Sequence, residues 1–391
     1  MGGLDYTVSG ARVVVLNAAP RETLQQNVVM TPALDLDAPE NRLKWPVAIF
    51  VAELRALSGD ELPVRVLLRD AFATDALSER GDVGVGLEEE LLRRADELVE
   101  VGSRRYYLQR RAGQVPPTEP DWAAASDAWT LYVTGLETAQ WLDRVLGKDC
   151  PDRRRPASAG QVVSQEVGFS VSWPPDFQFH APEFHDLFGD PPVHEFLSVV
   201  EWVGDHVARP RHWSREHDFS GCGMHFSTFG VQTGRALYRL RVNEIFTQYG
   251  IPFEIATGGE DDGFVVDRID PVRAELIATV TQSATEVDAT TLEHAVAQFR
   301  SRGATRDDKR AAVLALARLV ESERVLLKRT LFRKDEGALF DIANNFDLRH
   351  KTASQQDDYP VEYLDWIFWW YLATIESLQR LSKNQAAPSQ A

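Results

Sequence analysis

The stretch EYLDWIFWWYLATIESLQRL at residues 362–381 decides the fold of the chain. Its large apolar residues recur every three or four positions, which is the spacing of one face of an α-helix. They are Leu364, Ile367, Phe368, Tyr371, Leu372, Ile375 and Leu378. Pro360 suits the start of this helix, because proline is tolerated in a first turn. The pattern predicts a long final helix that buries its apolar face against other helices.

Helical segments upstream of this stretch supply the partners that a helical bundle needs. Their start signals are Pro271, the pair Thr290 and Glu293, and the pair Asp307 and Asp308. These residues fit a first-position proline, a capping box and an acidic first turn. A further short helix is predicted at 335–346. Together the segments predict a helical bundle over residues 271–384, followed by a disordered tail at 385–391.

Residues 1–150 are predicted to form a mixed α/β domain. The patterns are a strand at 11–16, apolar segments at 46–57 and 64–69 that fit a strand or a helix, and helices at 87–111 and 122–146. Residues 147–160 are rich in Pro, Gly and Arg, which predicts a domain boundary near residue 150. The motifs in this domain do not indicate what it does.

Residues 151–270 are predicted to form an α+β region. Its elements are a strand that begins near residue 168, helices at 193–207 and 231–249, a polar loop at 209–226 and a β-hairpin at 253–269. The hairpin is indicated by two β-rich runs that flank a turn containing Gly-Gly and Asp-Asp-Gly. The whole chain is therefore predicted to be mainly α with smaller β elements (α+β).

The charge and the cysteine content of the chain limit the cellular environments and partners that fit the protein. The formal net charge is −17, and an acidic chain repels nucleic acid at long range, so we expect no DNA-coating role. Cys150 and Cys222 cannot form a disulfide framework and fit a reducing cytoplasm. The longest apolar run, at 366–373, is shorter than the about 20 residues that span a bilayer. No signal peptide is visible, so we expect a cytoplasmic protein without a membrane partner.

The polar stretch DIANNFDLRHKTASQQDDYP at 341–360 is the first candidate site. Arg349 offers a planar fork of donors that suits a phosphate, and His350 can move a proton near neutral pH. Lys351 adds positive charge, while Asn344 and Asn345 favour a helix end and supply polar groups. Together these residues would hold an RNA phosphate while His350 assists attack by the ribose 2′-OH, without a metal ion.

A structural interpretation of the same stretch stays open. Arg349 would then pair with a carboxylate such as Asp335, Glu336 or Asp358, and His350 would cap the short helix before it. The stretch would serve as a polar connector between two helices of the bundle.

Metal and cofactor sites are not predicted. His217, Cys222 and His225, with His212 upstream, offer zinc ligands, but their spacing matches no familiar module and favours a turn with a core-facing Cys222. The acidic turn at 260–262 lacks the ligand spacing of a calcium loop and is predicted to be a solvated hairpin turn. The chain also lacks a phosphate loop and a GxSxG elbow, which argues against ATP hydrolysis and α/β-hydrolase chemistry.

The C-terminal pattern resembles a known family. The order is ALARLVESERVLLK at 315–328, then DIANNF, then DLRHK, then the final helix at 362–381. This order resembles the C-terminal helical domain of bacterial abortive-infection proteins of the AbiJ type, which belong to the HEPN superfamily. The segment RALYRLRVNEIFTQYGIPFEI at 235–255 is similar to a segment that precedes the helical domain in such proteins.

The resemblance implies a small helical bundle, often dimeric, in a protein of phage defence. It also implies a metal-independent endoribonuclease, in which Arg349 and His350 are the catalytic residues. The usual motif of that group is Arg, four to six residues, then His. Arg349 and His350 are adjacent, whereas Arg211 and His217 have five residues between them and match that spacing elsewhere in the chain.

The aromatic residues of the final helix support a second hypothesis. The apolar stripe is widened by Trp366, Trp369 and Trp370. Together these side chains form more apolar surface than one face of a helix can bury, unless the helix is buried on all sides. They predict a surface for a second copy of the chain or for a partner protein. The protein would then be a non-catalytic interaction module of a defence or regulatory complex, whereas the first hypothesis makes RNA the partner.

Overall fold

Helices make up most of the fold. The computed structural model describes residues 7–8, 11–12, 35–36, 38, 41–57, 61–75, 77, 79, 85–101, 119–147, 150, 157–179, 191–217, 223–330 and 359–386. Among these residues, the strands form three two-stranded antiparallel sheets and the helices cover most of the rest. The prediction of a mainly α chain with smaller β elements is therefore confirmed.

The elements follow one another in this order. The first part contains β1 (Thr7–Val8), β2 (Ala11–Arg12), α1 (Val47–Ala56), α2 (Glu61–Ala71) and α3 (Val85–Arg93). The middle part contains α4 (Trp122–Thr138), α5 (Asp143–Leu146), α6 (Ala159–Val167), α7 (Val193–His206), β3 (Arg209–His217), β4 (Gly223–Gly230), α8 (Val231–Gln248), β5 (Phe253–Ile255) and β6 (Val265–Asp267). The last part contains α9 (Pro271–Ser283), α10 (Glu286–Arg300), α11 (Arg306–Ser322), α12 (Arg324–Thr330) and α13 (Glu362–Ala386).

Buried apolar side chains form three clusters along the chain. The first holds α1 to α3 together and includes Phe50, Leu68 and Phe72. The second is built around Trp129 of α4 and Phe196 of α7, so α4 packs with elements that follow residue 150. The third cluster joins α9 to α13, and its residues lie between 280 and 378. The apolar stripe predicted for the final helix lies in this third cluster.

The two apolar segments that fitted either a strand or a helix are both helical. Residues 47–56 form α1 and residues 61–71 form α2. Pro271 opens α9 as expected, with Asp270 as the capping residue that accepts from the Arg273 backbone N–H at 3.0 Å.

Three local predictions were wrong. The polar loop expected at 209–226 contains β3 and β4, which pair with irregular register. The strand expected to begin near residue 168 is absent from the described residues 168–179, where Ser164 Oγ accepts from Val171 N in place of a strand partner. Thr290 does not cap a helix, because α10 already begins at Glu286 with Thr285 as its cap.

The helices α9 and α13 run parallel, so their N-terminal ends lie together. Near those ends the guanidinium of Arg273 lies 4.9 Å from the ring centre of Trp369. Further along, Gln379 Nε2 donates to Val280 O at 2.9 Å, and Lys383 Nζ donates to Ser283 Oγ at 3.1 Å.

A buried carboxylate connects the first part of the chain to the middle part. Glu53 of α1 is fully buried and accepts from Arg209 Nη1 at 3.1 Å and from Arg211 Nη2 at 2.6 Å. The hydroxyl of Thr233 in α8 also donates to it. Burial raises the pKa of Glu53, but the hydrogen bonds from Arg211 and Thr233 and the two positive charges outweigh burial and lower it.

This cluster decides the position of Arg211, one half of the Arg-His pair that matches the usual ribonuclease spacing. Its guanidinium is engaged with Glu53 rather than directed to a phosphate site. A side chain at Gly230 would clash with it, since an added Cβ would lie 2.6 Å from Arg211 Nε. The side chain of His217 lies outside the described residues.

We expect Glu53→Gln to destabilise the protein strongly. The change leaves the partly buried Arg211 without its charged partner and the buried Arg209 with Asp70 alone. Breaking a buried ion pair from one side costs about 3–5 kcal/mol. The measurement is the midpoint of unfolding in urea, followed by circular dichroism.

The control is Glu244→Gln, which removes an exposed ion pair with Arg241. Its effect should stay within about 1 kcal/mol. Equal midpoints for the two variants would contradict the structural role of Glu53.

Candidate functional site

The predicted catalytic residues lie outside the described part of the chain. Arg349 and His350, with the supporting residues Asn344, Asn345 and Lys351, fall in the interval 331–358. Their roles in RNA cleavage, and the alternative role of this stretch as a connector, stay predictions.

Of the residues considered as metal ligands, His212 and the carboxylates at 260–262 contact other side chains, whereas the side chain of His217 and all of Cys222 lie outside the described residues. His212 Nδ1 lies 2.7 Å from Thr228 Oγ1, and Glu260 lies 2.8 Å from His294 Nδ1. Asp262 accepts from Arg239 at 2.8 Å, while Asp261 is buried, so the turn at 260–262 is not fully solvated as predicted. The described residues contain no group of three or more His, Cys, Asp or Glu side chains that is arranged to hold a metal ion.

The three tryptophans of the predicted interaction surface line one cavity of about 550 Å³. We call this cavity the tryptophan groove. Its wall consists of Asp267, Arg268, Ile269, Arg273, Phe299, Arg300, Lys309, Glu362, Asp365, Trp366, Trp369 and Trp370. A cavity of this size is within the range of ligand-binding sites, about 300–1,000 Å³.

The indole rings of the groove differ in exposure. Trp366 and Trp370 are one helical turn apart and stack with ring centres 5.7 Å apart and an interplanar angle of 5°. Trp366 is 52% exposed, whereas Trp369 is partly buried and packs edge-on against Phe368 and Phe299. The groove therefore presents a flat aromatic surface that is supported from behind by the core.

Most of the cations in the groove are already paired. Lys309 Nζ lies 3.0 Å from Asp365 Oδ1, and Arg300 Nη2 lies 2.5 Å from Glu254 Oε1. Arg273 Nε lies 3.3 Å from Asp270 Oδ2. These contacts balance much of the charge in the groove.

Arg268 is the exception among the cations. It is half-buried, and among the described residues the only hydrogen bond of its side chain runs from Nη2 to the Phe253 carbonyl at 2.8 Å. Within the described chain it has no carboxylate at ion-pairing distance, and burial lowers its pKa against the opposing effect of the negative charge of Glu254. A desolvated guanidinium in a cavity is a favourable position for an anion.

The side chain of Asp267, the neighbour of Arg268 in sequence, has no ion-pair partner among the described residues. Its carboxylate is half-buried and accepts no hydrogen bond within the part of the chain that the structure describes. Burial raises its pKa, and the nearby charge of Asp365 adds to this, against the opposing charges of Lys309 and Arg300. A carboxylate and a guanidinium therefore both line the groove, and neither has an ion-pair partner among the described residues.

The N-terminal ends of three helices surround the groove. Arg273 lies in the first turn of α9, Lys309 in the first turn of α11 and Asp365 in the first turn of α13. The backbone N–H groups at such ends carry partial positive charge, which favours a bound anion. Asp270 and Asp308, as acidic residues at the starts of α9 and α11, offset part of this charge.

Sequence reasoning found the tryptophans but missed Asp267, Arg268, Arg273 and Lys309. These residues belong to three different elements and form no motif, so only the folded chain brings them together. A comparison of the chain with protein-family models, curated proteins and solved structures gave no match. None of the helices in the described chain is long and apolar enough to cross a membrane.

We expect Asp267→Asn to stabilise the protein at neutral pH. A raised pKa in the folded state means that folding costs free energy once the carboxyl is ionised. The cost is absent below the unfolded pKa, about 3.9, and is complete above the folded pKa. The variant should therefore have a higher melting temperature than the wild type at neutral pH, and this gain should disappear below about pH 4.

Asp262→Asn serves as a control, because its expected change in stability at neutral pH is opposite to that of Asp267→Asn. Burial raises the pKa of Asp262, but hydrogen bonds from the Gly258 N–H and from Arg239 outweigh burial and lower it. That variant should melt at a lower temperature than the wild type at neutral pH. A loss of stability in Asp267→Asn at neutral pH would show that Asp267 has a partner in the folded chain.

Proposed function

We propose that the C-terminal helical bundle binds RNA in the tryptophan groove. One observation carries the proposal: the half-buried guanidinium of Arg268, which has no carboxylate partner among the described residues, lines the same cavity as the stacked rings of Trp366 and Trp370. An aromatic platform and a guanidinium that line the same cavity fit a ligand that has a flat base and a phosphate.

Single-stranded RNA fits these groups better than a duplex. Stacking on Trp366 requires an unpaired base, and each base stacked on an aromatic side chain contributes about 1–3 kcal/mol. The acidic chain as a whole gives no long-range attraction. Binding would therefore depend on a few local contacts, and its dependence on salt would be shallow.

The proposal extends to the role implied by the family resemblance. We propose a cytoplasmic bacterial phage-defence protein of the HEPN class, in which Arg349 and His350 cleave the bound RNA without a metal ion. In the sequence, Lys351 precedes Tyr359 by eight residues. A chain of that length spans at most about 30 Å, and the proposal requires a bound strand of a few nucleotides to reach from the groove to that stretch.

The binding proposal predicts that Arg268→Gln and Trp366→Ala each weaken RNA binding. Loss of the guanidinium should reduce the affinity by about tenfold or more, and loss of the indole should cost about 1–3 kcal/mol. The measurement is fluorescence anisotropy with a short labelled oligoribonucleotide. Trp366 is half-exposed, so its removal should leave the fold intact.

Arg241→Gln is the matched control, because Arg241 lies outside the groove and pairs with Glu244 on the surface of α8. It should bind like the wild type. If all three variants bind RNA as the wild type does, the groove is not the binding site.

The cleavage proposal predicts that EDTA-resistant cutting of RNA is lost in the double variant Arg349→Ala/His350→Ala. Wild-type protein and the variant would be incubated with total RNA and labelled tRNA in the presence of EDTA. Equal cleavage by both proteins would show that the adjacent Arg and His are not the catalytic residues.

A second candidate function is supported by exposed apolar side chains near the groove. Val272 and Trp366 are 75% and 52% exposed and lie at the N-terminal ends of the parallel helices α9 and α13. This surface fits a second copy of the chain or a partner protein.

If the chain dimerises there, Trp366→Glu should be a monomer in light scattering after size exclusion. The control Val287→Glu replaces a more exposed apolar residue outside the groove and should remain a dimer. An unchanged mass for Trp366→Glu would rule out this surface as the dimer interface.

A further inference from the structure

We propose that Asp267 selects the ligand of the tryptophan groove by accepting a hydrogen bond from a donor group of a bound nucleotide. The inference rests on the proposed binding of RNA in the groove. The donor is a hydroxyl or amine group, which a nucleotide supplies either as the ribose 2′-OH or as an exocyclic amine of the base.

The backbone holds Asp267 in a fixed position at the edge of the groove. It is the last residue of β6 and pairs with Phe253 of β5. Its carbonyl accepts from Arg300 Nε at 3.3 Å. The backbone that carries the carboxylate is therefore hydrogen-bonded both to the other strand of the hairpin and to α10.

Charged groups from three helices face Asp267, but none of them neutralises it by direct contact. They are Arg300 of α10, Lys309 of α11 and Asp365 of α13. Arg300 donates to Glu254, and Lys309 donates to Asp365. The cations are thus engaged with other carboxylates, and Asp267 keeps its capacity to accept a hydrogen bond.

The pair of Asp267 and Arg268 defines what the ligand must contain. Free phosphate would gain a contact with Arg268 but would meet the negative charge of Asp267. A ligand that carries both a phosphate and a hydrogen-bond donor offers a contact to each of the two side chains, which line the same groove. A site built to accept a hydrogen bond discriminates against a ligand that lacks the donor, because the buried acceptor is then left unpaired.

The test uses four fluorescein-labelled oligonucleotides of equal length: oligouridine, oligodeoxyuridine, oligoadenosine and oligodeoxyadenosine. Affinities would be measured by anisotropy for the wild type, Asp267→Ala, Asp267→Asn and Arg268→Gln. Glu275→Ala is the matched control, because Glu275 is an exposed carboxylate of α9 that does not line the groove.

The wild type should prefer the ligands with the donor by about tenfold. Asp267→Ala should lose this preference while still binding, and Asp267→Asn, which keeps a carbonyl acceptor, should retain part of it. A preference for both ribose strands over both deoxyribose strands identifies the 2′-OH. A preference for both adenine strands over both uracil strands identifies the base amine.

Two results would overturn the inference alone. If the wild type binds all four strands equally, Asp267 does not select. If Asp267→Ala binds all four more tightly by one common factor, Asp267 only repels phosphate. If the wild type binds none of the strands, or Arg268→Gln binds all of them like the wild type, the proposed function fails and the inference fails with it.

Discussion

The buried carboxylate of Glu53 is the contact on which the arrangement of the other elements depends. It joins α1 to Arg209 and Arg211 of β3 and to Thr233 of α8. Arg209 also contacts Asp70 of α2 at 3.0 Å, so two helices of the first part are attached to one strand. Because these charges are buried, each group is costly unless its partners are in place.

From this cluster, polar contacts continue through α8 to the groove. Asn243, on the same helix as Thr233, donates to the Ile255 carbonyl at 3.1 Å and accepts from the Ile255 N–H at 2.8 Å. These bonds position β5, and β5 pairs with β6, which ends at Asp267. On the other side, Arg302 contacts Glu201 at 3.2 Å and holds the end of α10 against α7. The walls of the tryptophan groove thus come from two parts of the chain, and buried or half-buried polar contacts hold these two parts in position.

Sequence reasoning succeeded where one element carries its own signal. The periodicity at 362–381 predicted α13, Pro271 predicted the start of α9, and the residue pattern at 253–269 predicted the hairpin. It failed at 209–226, because the many polar and charged residues of that stretch are typical of a loop, whereas in the folded chain Arg209 and Arg211 pair with a distant carboxylate.

The candidate site shows the same limit. Trp366, Trp369 and Trp370 stood out because they cluster in one helix. Asp267 and Arg268 did not, since what distinguishes them is the lack of an ion-pair partner among the described residues, and sequence spacing carries no information about that. The charges that a ligand would meet come from β6, α9, α11 and α13 together, so the site exists only after the bundle has packed against the hairpin.

The central claim is that RNA occupies the tryptophan groove, and photocrosslinking tests it most directly. The full chain would be irradiated with an oligoribonucleotide that contains 4-thiouridine, and the adducts would be located by mass spectrometry. The account predicts adducts on peptides that contain Trp366, Trp370 or residues 267–273. Adducts confined to the first part of the chain or to the β3–β4 hairpin would contradict it.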